Sequence, residues 1–201
     1  MLFDQRCESC EGPGYPLCVR CSFDIRCSPI PAIVSLRGVD IEAAAVYDGV
    51  MRKLVLALKQ RRSRAIAAVL GELLIERTEF DVDALQVVTW APTSRRHVRE
   101  RGHDQAKLIA AAVSQQVGVP LQRTLMREGD RAQTGKSRRD RLEGPTFVAA
   151  PFVKERRILV IDDVVTTGAT LTAAYECLTS RGASYVACVA VAATPEPTHT
   201  R

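Results

Sequence analysis

The sequence predicts an α/β protein in which helices cover both faces of a mainly parallel β-sheet. Apolar runs rich in β-branched residues alternate along the chain with segments whose apolar residues recur every three or four positions. The strand-like runs are almost continuously apolar, which is typical of strands buried on both faces of a parallel sheet. The 201 residues, of which 46% are hydrophobic, are enough for one sizeable core with a small appendage.

The first half of the chain shows this alternation clearly. Residues 41–47 form an apolar run that predicts a strand, and residues 86–91 form another, which Pro92 stops. Between them, helices are predicted over residues 49–60 and 64–77, where apolar residues follow helical spacing.

The second half repeats the alternation after an irregular interruption. The predicted elements follow in the order helix 105–117, strand 120–126, strand 157–162, helix 169–181 and strand 184–193. Residues 127–144 are charged and lack periodicity, which predicts a loop. Because helices separate most of the strands, neighbouring strands are expected to run parallel.

Five of the seven cysteines lie before residue 28, in a polar segment rich in turn residues. Cys7 and Cys10 form one C-x-x-C pair, and Cys18 and Cys21 form a second. This spacing lets both thiolates of a pair reach one Zn²⁺ ion, and four thiolates leave no open position for a substrate. The pattern therefore predicts a structural zinc site, whose ion would fold a segment too small to fold alone.

The predicted zinc site implies two domains, a zinc-ribbon-like module over residues 1–34 and the α/β domain over residues 35–201. Cys27 has no partner in the pattern and is either a bystander or an alternative ligand. No apolar run approaches the roughly 18 residues of a membrane span, and no secretory pattern is seen, so we expect a cytoplasmic protein without membrane insertion. A net charge of +5 is compatible with acidic or phosphorylated partners.

The apolar run that begins at Ile158 ends on two adjacent carboxylates, Asp162 and Asp163, and a turn of hydroxyls and glycine follows at residues 166–170. In an open parallel sheet, ligands bind beyond the carboxyl ends of the strands. The N–H groups of the turn and of the following helix favour an anion, whereas carboxylates accept hydrogen bonds from vicinal hydroxyls. The pattern therefore predicts a site for a phosphorylated sugar. A simple helix cap is the alternative, although a cap needs only one carboxylate and one hydroxyl.

Residues 158–170 resemble the phosphoribosyl pyrophosphate (PRPP) motif of type I phosphoribosyltransferases: four apolar residues, Asp-Asp, two apolar residues and Thr-Thr-Gly-x-Thr. The sequence Arg-Gly-His-Asp-Gln-Ala at residues 101–106 resembles the ComF family (ComFC- or GntX-like), as do the paired C-x-x-C pattern, Gln133, Arg141 and Phe147. The resemblance implies a type I phosphoribosyltransferase-like parallel sheet flanked by helices, with a small N-terminal zinc module built on four cysteines.

The resemblance also implies roles for individual residues. Asp162 and Asp163 would bind the ribose 2′- and 3′-hydroxyls and form the catalytic pair. The turn that would hold the 5′-phosphate consists of Val165, Thr166, Thr167, Gly168, Ala169 and Thr170. Mg²⁺ would bridge the pyrophosphate and the ribose hydroxyls. Members of the family are linked to DNA uptake in competence and to amidophosphoribosyl transfer.

The sequence departs from the family pattern in three places, which involve four residues. His103 and Asp104 replace the Phe and Asn of the usual Arg-Gly-Phe-Asn-Gln-Ala, Glu143 stands where Asn is common, and Lys59 is followed by Gln60 instead of an aromatic residue. These changes leave the PRPP motif intact and affect what can be inferred about the acceptor. His103 is the histidine expected near the site, where it contacts the substrate or has a structural role, and it is not expected to act as a base.

Basic residues cluster after the strand predicted at residues 86–91. Arg95 and Arg101 are predicted to bind the pyrophosphate arm, because guanidinium groups match phosphate oxygens bidentately. A second basic group at residues 123–141 falls largely on the predicted loop, where it would close over a ligand or hold single-stranded nucleic acid. It lacks the aromatic residues on which bases stack.

Three functions remain open at the level of sequence, and the third, a metal-independent regulatory protein of nucleotide metabolism that uses the same pocket, is not separated from the second by the sequence. In the first, the protein is an enzyme that binds PRPP and transfers the phosphoribosyl group to a nitrogen acceptor, with electrostatic stabilisation supplying most of the catalysis. In the second, it is a non-catalytic accessory protein of DNA uptake that binds single-stranded DNA and a helicase partner. The oligomeric state is open, with a homodimer as one option.

Overall fold

A computed structural model of the chain describes residues 6–128 and 144–195. The strands in these residues are, in chain order, β1 (Val34–Leu36), β2 (Val39–Val46), β3 (Val87–Trp90), β4 (Leu125–Arg127), β5 (Phe147–Ala149), β6 (Arg157–Val165) and β7 (Tyr185–Ala193). The α-helices are α1 (Val19–Arg26), α2 (Gly49–Gln60), α3 (Arg64–Arg77), α4 (Arg95–Arg101), α5 (Gln105–Val117) and α6 (Ala169–Ser180). Within these two ranges no helix has both the length and the hydropathy needed to cross a membrane.

The central sheet has the strand order β1-β2-β7-β6-β3. The four strands β2, β7, β6 and β3 are parallel, and the short edge strand β1 pairs antiparallel with β2. Strands β4 and β5 form a separate antiparallel pair. The predicted parallel sheet flanked by helices is therefore confirmed, with one antiparallel strand added at its edge.

Alternation along β6 builds a hydrophobic core on each face of this sheet. Leu159 and Ile161 are fully buried in the core that contains the apolar faces of α2, α3 and α5. Ile158 and Val160 are fully buried in the opposite core, with apolar residues of α6 and of the β4–β5 pair. Successive side chains of a strand point to opposite faces, so a continuous apolar run is needed when both faces are covered.

The helices predicted at 49–60, 64–77 and 105–117 are confirmed. The strand predicted over residues 120–126 is wrong in extent, because β4 begins only at Leu125. Leu121 makes an isolated bridge to Val88, and the continuous ladder forms where β5 provides a partner. The loop predicted at 127–144 begins too early, since Arg127 lies in β4, and residues 129–143 of it lie outside the described residues.

The structure also contains two helices that the sequence did not predict. Helix α1 lies among the cysteines, and the thiol of Cys18 accepts a hydrogen bond at its N-terminus. Helix α4 lies in the basic segment, where Ser94 caps its N-terminus by accepting a hydrogen bond from the His97 N–H, and Gly102 ends it in the left-handed conformation. Both helices are short and polar, so they lack the apolar periodicity by which longer helices are recognised.

The N-terminal segment packs on helix α3. Ile25 of α1 is buried in the core beside α3. Arg77 donates hydrogen bonds to the carbonyl oxygens of Ser28 at 2.6 Å and Ile25 at 3.4 Å. Arg26 forms an ion pair with Glu72 at 3.3 Å and a second one with Glu76. These contacts fix the cysteine-rich segment against the α/β domain, and the domain boundary between residues 34 and 35 stays a prediction.

Helices α3 and α5 approach closely at Gly71. A Cβ atom at this position would lie 3.2 Å from the Cβ of Ala112 and 3.3 Å from the backbone nitrogen of Val113. A neighbour would have to shift by a few tenths of an ångström to admit a Cβ, and the backbone nitrogen of Val113 moves only with α5, so the contact favours glycine.

We predict that Gly71→Ala lowers the free energy of unfolding by about 1–3 kcal/mol, although alanine is the better helix former. Urea denaturation measures the change. The double variant Gly71→Ala with Ala112→Gly should recover part of the loss because it restores the space between the helices. A Gly71→Ala protein more stable than the wild type would contradict the close packing.

Candidate functional site

A cleft of about 250 Å³ opens where the parallel strands β3 and β6 end. Its walls are the last residues of β6, the segment that follows β3 and the turn at residues 101–106, together with Lys59 of α2, Arg127 of β4 and Thr170 of α6. Strand β6 continues beyond its last pair with β3, which joins Ile161 to Trp90. From Asp162 onward, this flank of β6 is therefore open to a ligand.

Asp162 and Asp163 both line the cleft. One Oδ1 oxygen of each is held by the backbone: that of Asp162 accepts a hydrogen bond from the Asp163 N–H at 2.8 Å, and that of Asp163 accepts one from the Val164 N–H at 2.8 Å. These local hydrogen bonds orient both carboxyl groups. The structure thus places the two predicted carboxylates side by side at a strand end.

A third carboxyl group, that of Asp104, makes the cleft strongly acidic. Burial raises the pKa of Asp162 well above its usual value, and the charges of Asp163 and Asp104 raise it further. Burial also raises the pKa of Asp104, although the N–H groups of Thr93 and Lys107 donate to it at 3.1 and 3.4 Å. The concentrated negative charge favours ligands that bring a cation or hydroxyl donors.

Cationic side chains complete the cleft. Lys59 Nζ lies 3.0 Å from Asp163 Oδ2, and both side chains are largely buried. Arg101 donates from Nη1 to Gln105 Oε1 at 3.2 Å. The amide nitrogen of Gln105 is buried without an acceptor among the described residues, so a ligand or water must supply one. Arg95, by contrast, is exposed at the start of α4 and does not line the cleft, so its binding role stays a prediction.

The hydroxyl turn forms a small hollow next to the cleft. The residues that line the hollow come from the end of β6, the turn after it and the start of α6: Asp162, Val164, Val165, Thr166, Thr167, Gly168, Ala169, Thr170 and Leu171. Gly168 has a φ of 81°, and a Cβ there would lie 3.0 Å from Ile41 Cδ1, so the turn requires glycine. Gly168 is also the N-cap of α6 and provides no side-chain cap, which leaves N–H groups at the helix start for an anion.

The histidines are arranged differently from the sequence expectation. His97 lines the cleft, whereas His103 does not. The His103 ring is buried between two backbone carbonyl oxygens, with Nε2 2.7 Å from Leu58 O and Nδ1 2.8 Å from Arg101 O. Both ring nitrogens are thus engaged by the backbone, and His103 has a structural role.

A larger hollow of about 550 Å³ lies between α3 and α5, on the other side of the turn at residues 101–106. Small apolar residues form much of its floor, and Arg62, Arg64 and Lys107 are among its lining residues. It contains neither Asp162 nor Asp163 nor the hydroxyl turn. The chemistry of the lining, not the volume, therefore identifies the smaller cleft as the candidate site.

The four predicted metal ligands, Cys7, Cys10, Cys18 and Cys21, come together in a separate site with their sulfur atoms within 4.8 Å of one another. Sulfur atoms at the corners of a tetrahedral zinc site lie about 3.8 Å apart, and the Cys10 and Cys18 sulfurs are 3.6 Å apart. The donor set therefore fits Zn²⁺. Cys27, the exposed C-cap of α1, is not in this group.

The pKa values of two thiols in the cysteine cluster are shifted in opposite directions. Although burial acts to raise the pKa of Cys7, hydrogen bonds from the backbone of Cys18, Cys10 and Ser9 outweigh it and lower that pKa to about 6. Burial raises the pKa of Cys21 to about 12. A thiol of such high pKa is stable as a thiolate only beside a cation, which is what a metal ion supplies.

We predict that the purified protein contains about one Zn²⁺ per chain and that Cys7→Ser with Cys10→Ser releases it. Elemental analysis of the dialysed protein measures the metal. Cys27→Ser is the matched control and should retain the ion. A wild-type protein purified without any metal would contradict the zinc site.

Comparison with known proteins agrees with the geometry of the cleft. Residues 104–200 match the phosphoribosyl transferase domain family. This part of the chain is therefore similar to a phosphoribosyl transferase domain. The match includes the acidic end of β6 and the hydroxyl turn, which supports the superfamily inferred from residues 158–170. It begins after the paired cysteines and the first half of the turn at residues 101–106, so the narrower assignment to the ComF family stays a prediction.

No curated protein matches the chain. Among solved structures, the chain is similar to an allosteric regulatory enzyme of purine biosynthesis, with 20% identity over 85% of this chain and 30% of that one, at a TM-score of 0.44. It is also similar to the glutamine PRPP amidotransferase from B. subtilis, with 21% identity over 62% of this chain and 26% of that one, at a TM-score of 0.46. The purine phosphoribosyltransferase from Pyrococcus horikoshii has 15% identity over 75% of this chain and 93% of that one, at a TM-score of 0.38. The chain thus spans less than a third of the length of the first two proteins.

Because the pKa of Asp162 is raised, the free energy of unfolding of the ligand-free protein is expected to depend on pH. Between the usual carboxyl pKa of 3.8 and the higher folded value, the folded state holds a proton that the unfolded state has lost. The free energy of unfolding therefore falls as the pH rises through this window. We predict that Asp162→Asn stabilises the protein by about 1–3 kcal/mol near neutral pH and has little effect near pH 4.

Urea denaturation across this pH range tests the prediction, with the exposed Asp83→Asn as the control. An equal effect of Asp162→Asn at both ends of the range would contradict a raised pKa.

Proposed function

We propose that this protein binds PRPP in the cleft and transfers its phosphoribosyl group to a nitrogen acceptor, with release of pyrophosphate. The observation that carries this proposal is the placement of two neighbouring carboxylates, Asp162 and Asp163, directly beside the N-terminus of α6, whose N-cap Gly168 has no side chain to occupy its N–H groups. Carboxylates accept hydrogen bonds from hydroxyl groups, whereas the N–H groups at a helix N-terminus bind anions. A sugar phosphate presents both, as hydroxyl donors and an anion a few bonds apart.

In the proposed complex the ribose 2′- and 3′-hydroxyls donate hydrogen bonds to Asp162 and Asp163. The 5′-phosphate occupies the hollow formed by Val165, Thr166, Thr167, Gly168, Ala169 and Thr170. The pyrophosphate extends toward the cationic part of the cleft, where Arg101 lies. Guanidinium groups suit this arm because they match phosphate oxygens with two parallel hydrogen bonds. Arg95 would reach the arm only from outside the cleft lining.

The carboxylates of the cleft are hard oxygen donors of the kind that Mg²⁺ prefers. Asp162 and Asp104, with Asp163 once Lys59 is displaced, are the residues that would contact an ion carried by the pyrophosphate. The ion would neutralise charge on the leaving group. The chain itself positions the sugar and excludes water from one side of it.

The reaction needs no nucleophilic side chain. The bond between the anomeric carbon and the pyrophosphate oxygen breaks, and pyrophosphate leaves with the electron pair. The acceptor nitrogen forms the new bond to the same carbon and gives up a proton to solvent. Positive charge develops on the sugar during this exchange, and Asp162 and Asp163 lie where they stabilise it electrostatically. Positioning and electrostatics carry such a mechanism.

We further propose that the chain is a cytoplasmic ComF-type protein. The four clustered cysteines and the turn at residues 101–106, part of which lines the cleft, support this narrower assignment. A role of the family in DNA uptake would then connect the PRPP site to single-stranded DNA or a helicase. The tests below distinguish turnover from such a role.

We predict that Asp162→Asn with Asp163→Asn reduces PRPP affinity by at least about 100-fold, because hydroxyl acceptors and the attraction for a cation are lost together. Calorimetric titration with PRPP and Mg²⁺ measures the change. The exposed pair Asp81→Asn with Asp83→Asn removes the same charge elsewhere and should leave the affinity unaltered.

Turnover is tested by pyrophosphate release from PRPP across a panel of ammonia, glutamine, purines and pyrimidines. Release with one acceptor, lost in the double variant, would establish the transferase. PRPP binding without release, together with salt-dependent binding of single-stranded DNA, would favour the accessory role. Failure of the wild-type protein to bind PRPP would refute the proposed function.

A further inference from the structure

We propose that the side chain of Lys59 changes its anionic partner when a ligand binds in the cleft. Its ammonium group neutralises Asp163 in the ligand-free protein and moves to the pyrophosphate arm when the sugar hydroxyls take over Asp163. The inference rests on the proposed function and adds a residue that the PRPP motif does not contain.

The ion pair between Lys59 and Asp163 is the starting observation. Nζ and Oδ2 are 3.0 Å apart, and the two side chains are only 25% and 17% exposed. Water screens such a pair much less than it screens a pair at the surface. Lys59 is the penultimate residue of α2, which is far in sequence from β6 and reaches the cleft only through the tertiary fold.

Both oxygens of Asp163 are already engaged in this arrangement. Oδ1 accepts the Val164 N–H, and Oδ2 is paired with the Lys59 ammonium. A hydroxyl group or a cation that binds Oδ2 of Asp163 competes with the ammonium for the same negative charge and so weakens the ion pair. Lysine is suited to this because its charge is compact and its four-carbon stem is flexible.

A displaced ammonium cannot remain unpaired in a partly buried cleft without a large cost. Asp162 and Asp104 are the nearby acceptors, but the ribose hydroxyls and an accompanying cation need the same carboxylates. The pyrophosphate arm brings new anionic oxygens into the cleft at the moment when Lys59 loses Asp163. One ligand therefore supplies both the groups that displace Lys59 and the group that receives it.

His103 positions Lys59 for this exchange. Its Nε2 atom lies 2.7 Å from the carbonyl oxygen of Leu58, the residue that precedes Lys59, at the end of α2 where carbonyl groups lack helical partners. Its Nδ1 atom lies 2.8 Å from the carbonyl oxygen of Arg101. One buried ring thus joins the backbone segments that carry two cations of the cleft, Lys59 and Arg101.

The test compares two probes, PRPP and ribose 5-phosphate, each titrated with Mg²⁺ by calorimetry. Both carry the ribose and the 5′-phosphate, but only PRPP carries the pyrophosphate arm. We expect Lys59→Met to weaken PRPP binding by about 10- to 100-fold, the range for loss of a hydrogen bond to a charged group. Ribose 5-phosphate binding should stay unchanged or become tighter because Asp163 no longer has to be released from Lys59.

Arg61→Met is the matched control for the loss of a cation. Arg61 lies two residues further along, pairs with Glu8 at 3.0 Å, and is 69% exposed outside the cleft lining. It should leave the affinity for both probes unchanged. His103→Phe should lower the preference for PRPP over ribose 5-phosphate, and it should have no further effect on that preference once Lys59→Met is present.

The outcomes separate this inference from the proposed function. If the wild-type protein binds neither probe, the proposed function is wrong. If it binds PRPP but Lys59→Met weakens both probes equally, Lys59 has only a structural role. If Lys59→Met leaves PRPP affinity unchanged, the ammonium does not contact the pyrophosphate. Either of the last two results would overturn the inference and leave PRPP binding standing.

Discussion

The candidate site depends on the register of β6 within the sheet. Strand β6 pairs with β3 only as far as Ile161, whereas its pairing with β7 continues to Val165. The four residues beyond the β3 ladder are therefore held rigidly on one side and open on the other. Asp162 and Asp163 lie in this half-supported extension, so their carboxyl groups are fixed by the sheet and still accessible to a ligand.

Burial of carboxyl groups and repulsion between their charges lower the stability of the ligand-free protein at this extension. Three carboxyl groups, those of Asp104, Asp162 and Asp163, lie close together, and burial together with the charge of Asp163 raises the pKa of the first two. Lys59 offsets part of that charge. A ligand that supplies hydroxyl donors, or a cation, relieves the remainder and stabilises the folded protein by binding it preferentially. Local instability at a functional site is thus relieved by the ligand itself.

The cysteine cluster provides a compact centre for the N-terminal segment. The segment that contains it is polar and turn-rich, and it contributes little besides Ile25 to the main core. Four sulfur atoms within 4.8 Å of one another give this segment a compact centre that a metal ion would cross-link. Its contacts to α3 through Arg26 and Arg77 then fix it to the α/β domain.

Local sequence determined the elements with strong periodicity, the paired cysteines and the PRPP motif, because the residues that define each of them are neighbours along the chain. It could not reveal α4, the late start of β4, or the cation that pairs with Asp163. Lys59 and Asp163 are far apart in sequence, as are His103 and Leu58, and each pair meets only when α2, α5 and β6 pack together. The tertiary structure alone decided these contacts, because side chains distant in sequence become neighbours only once the chain has lost its conformational freedom.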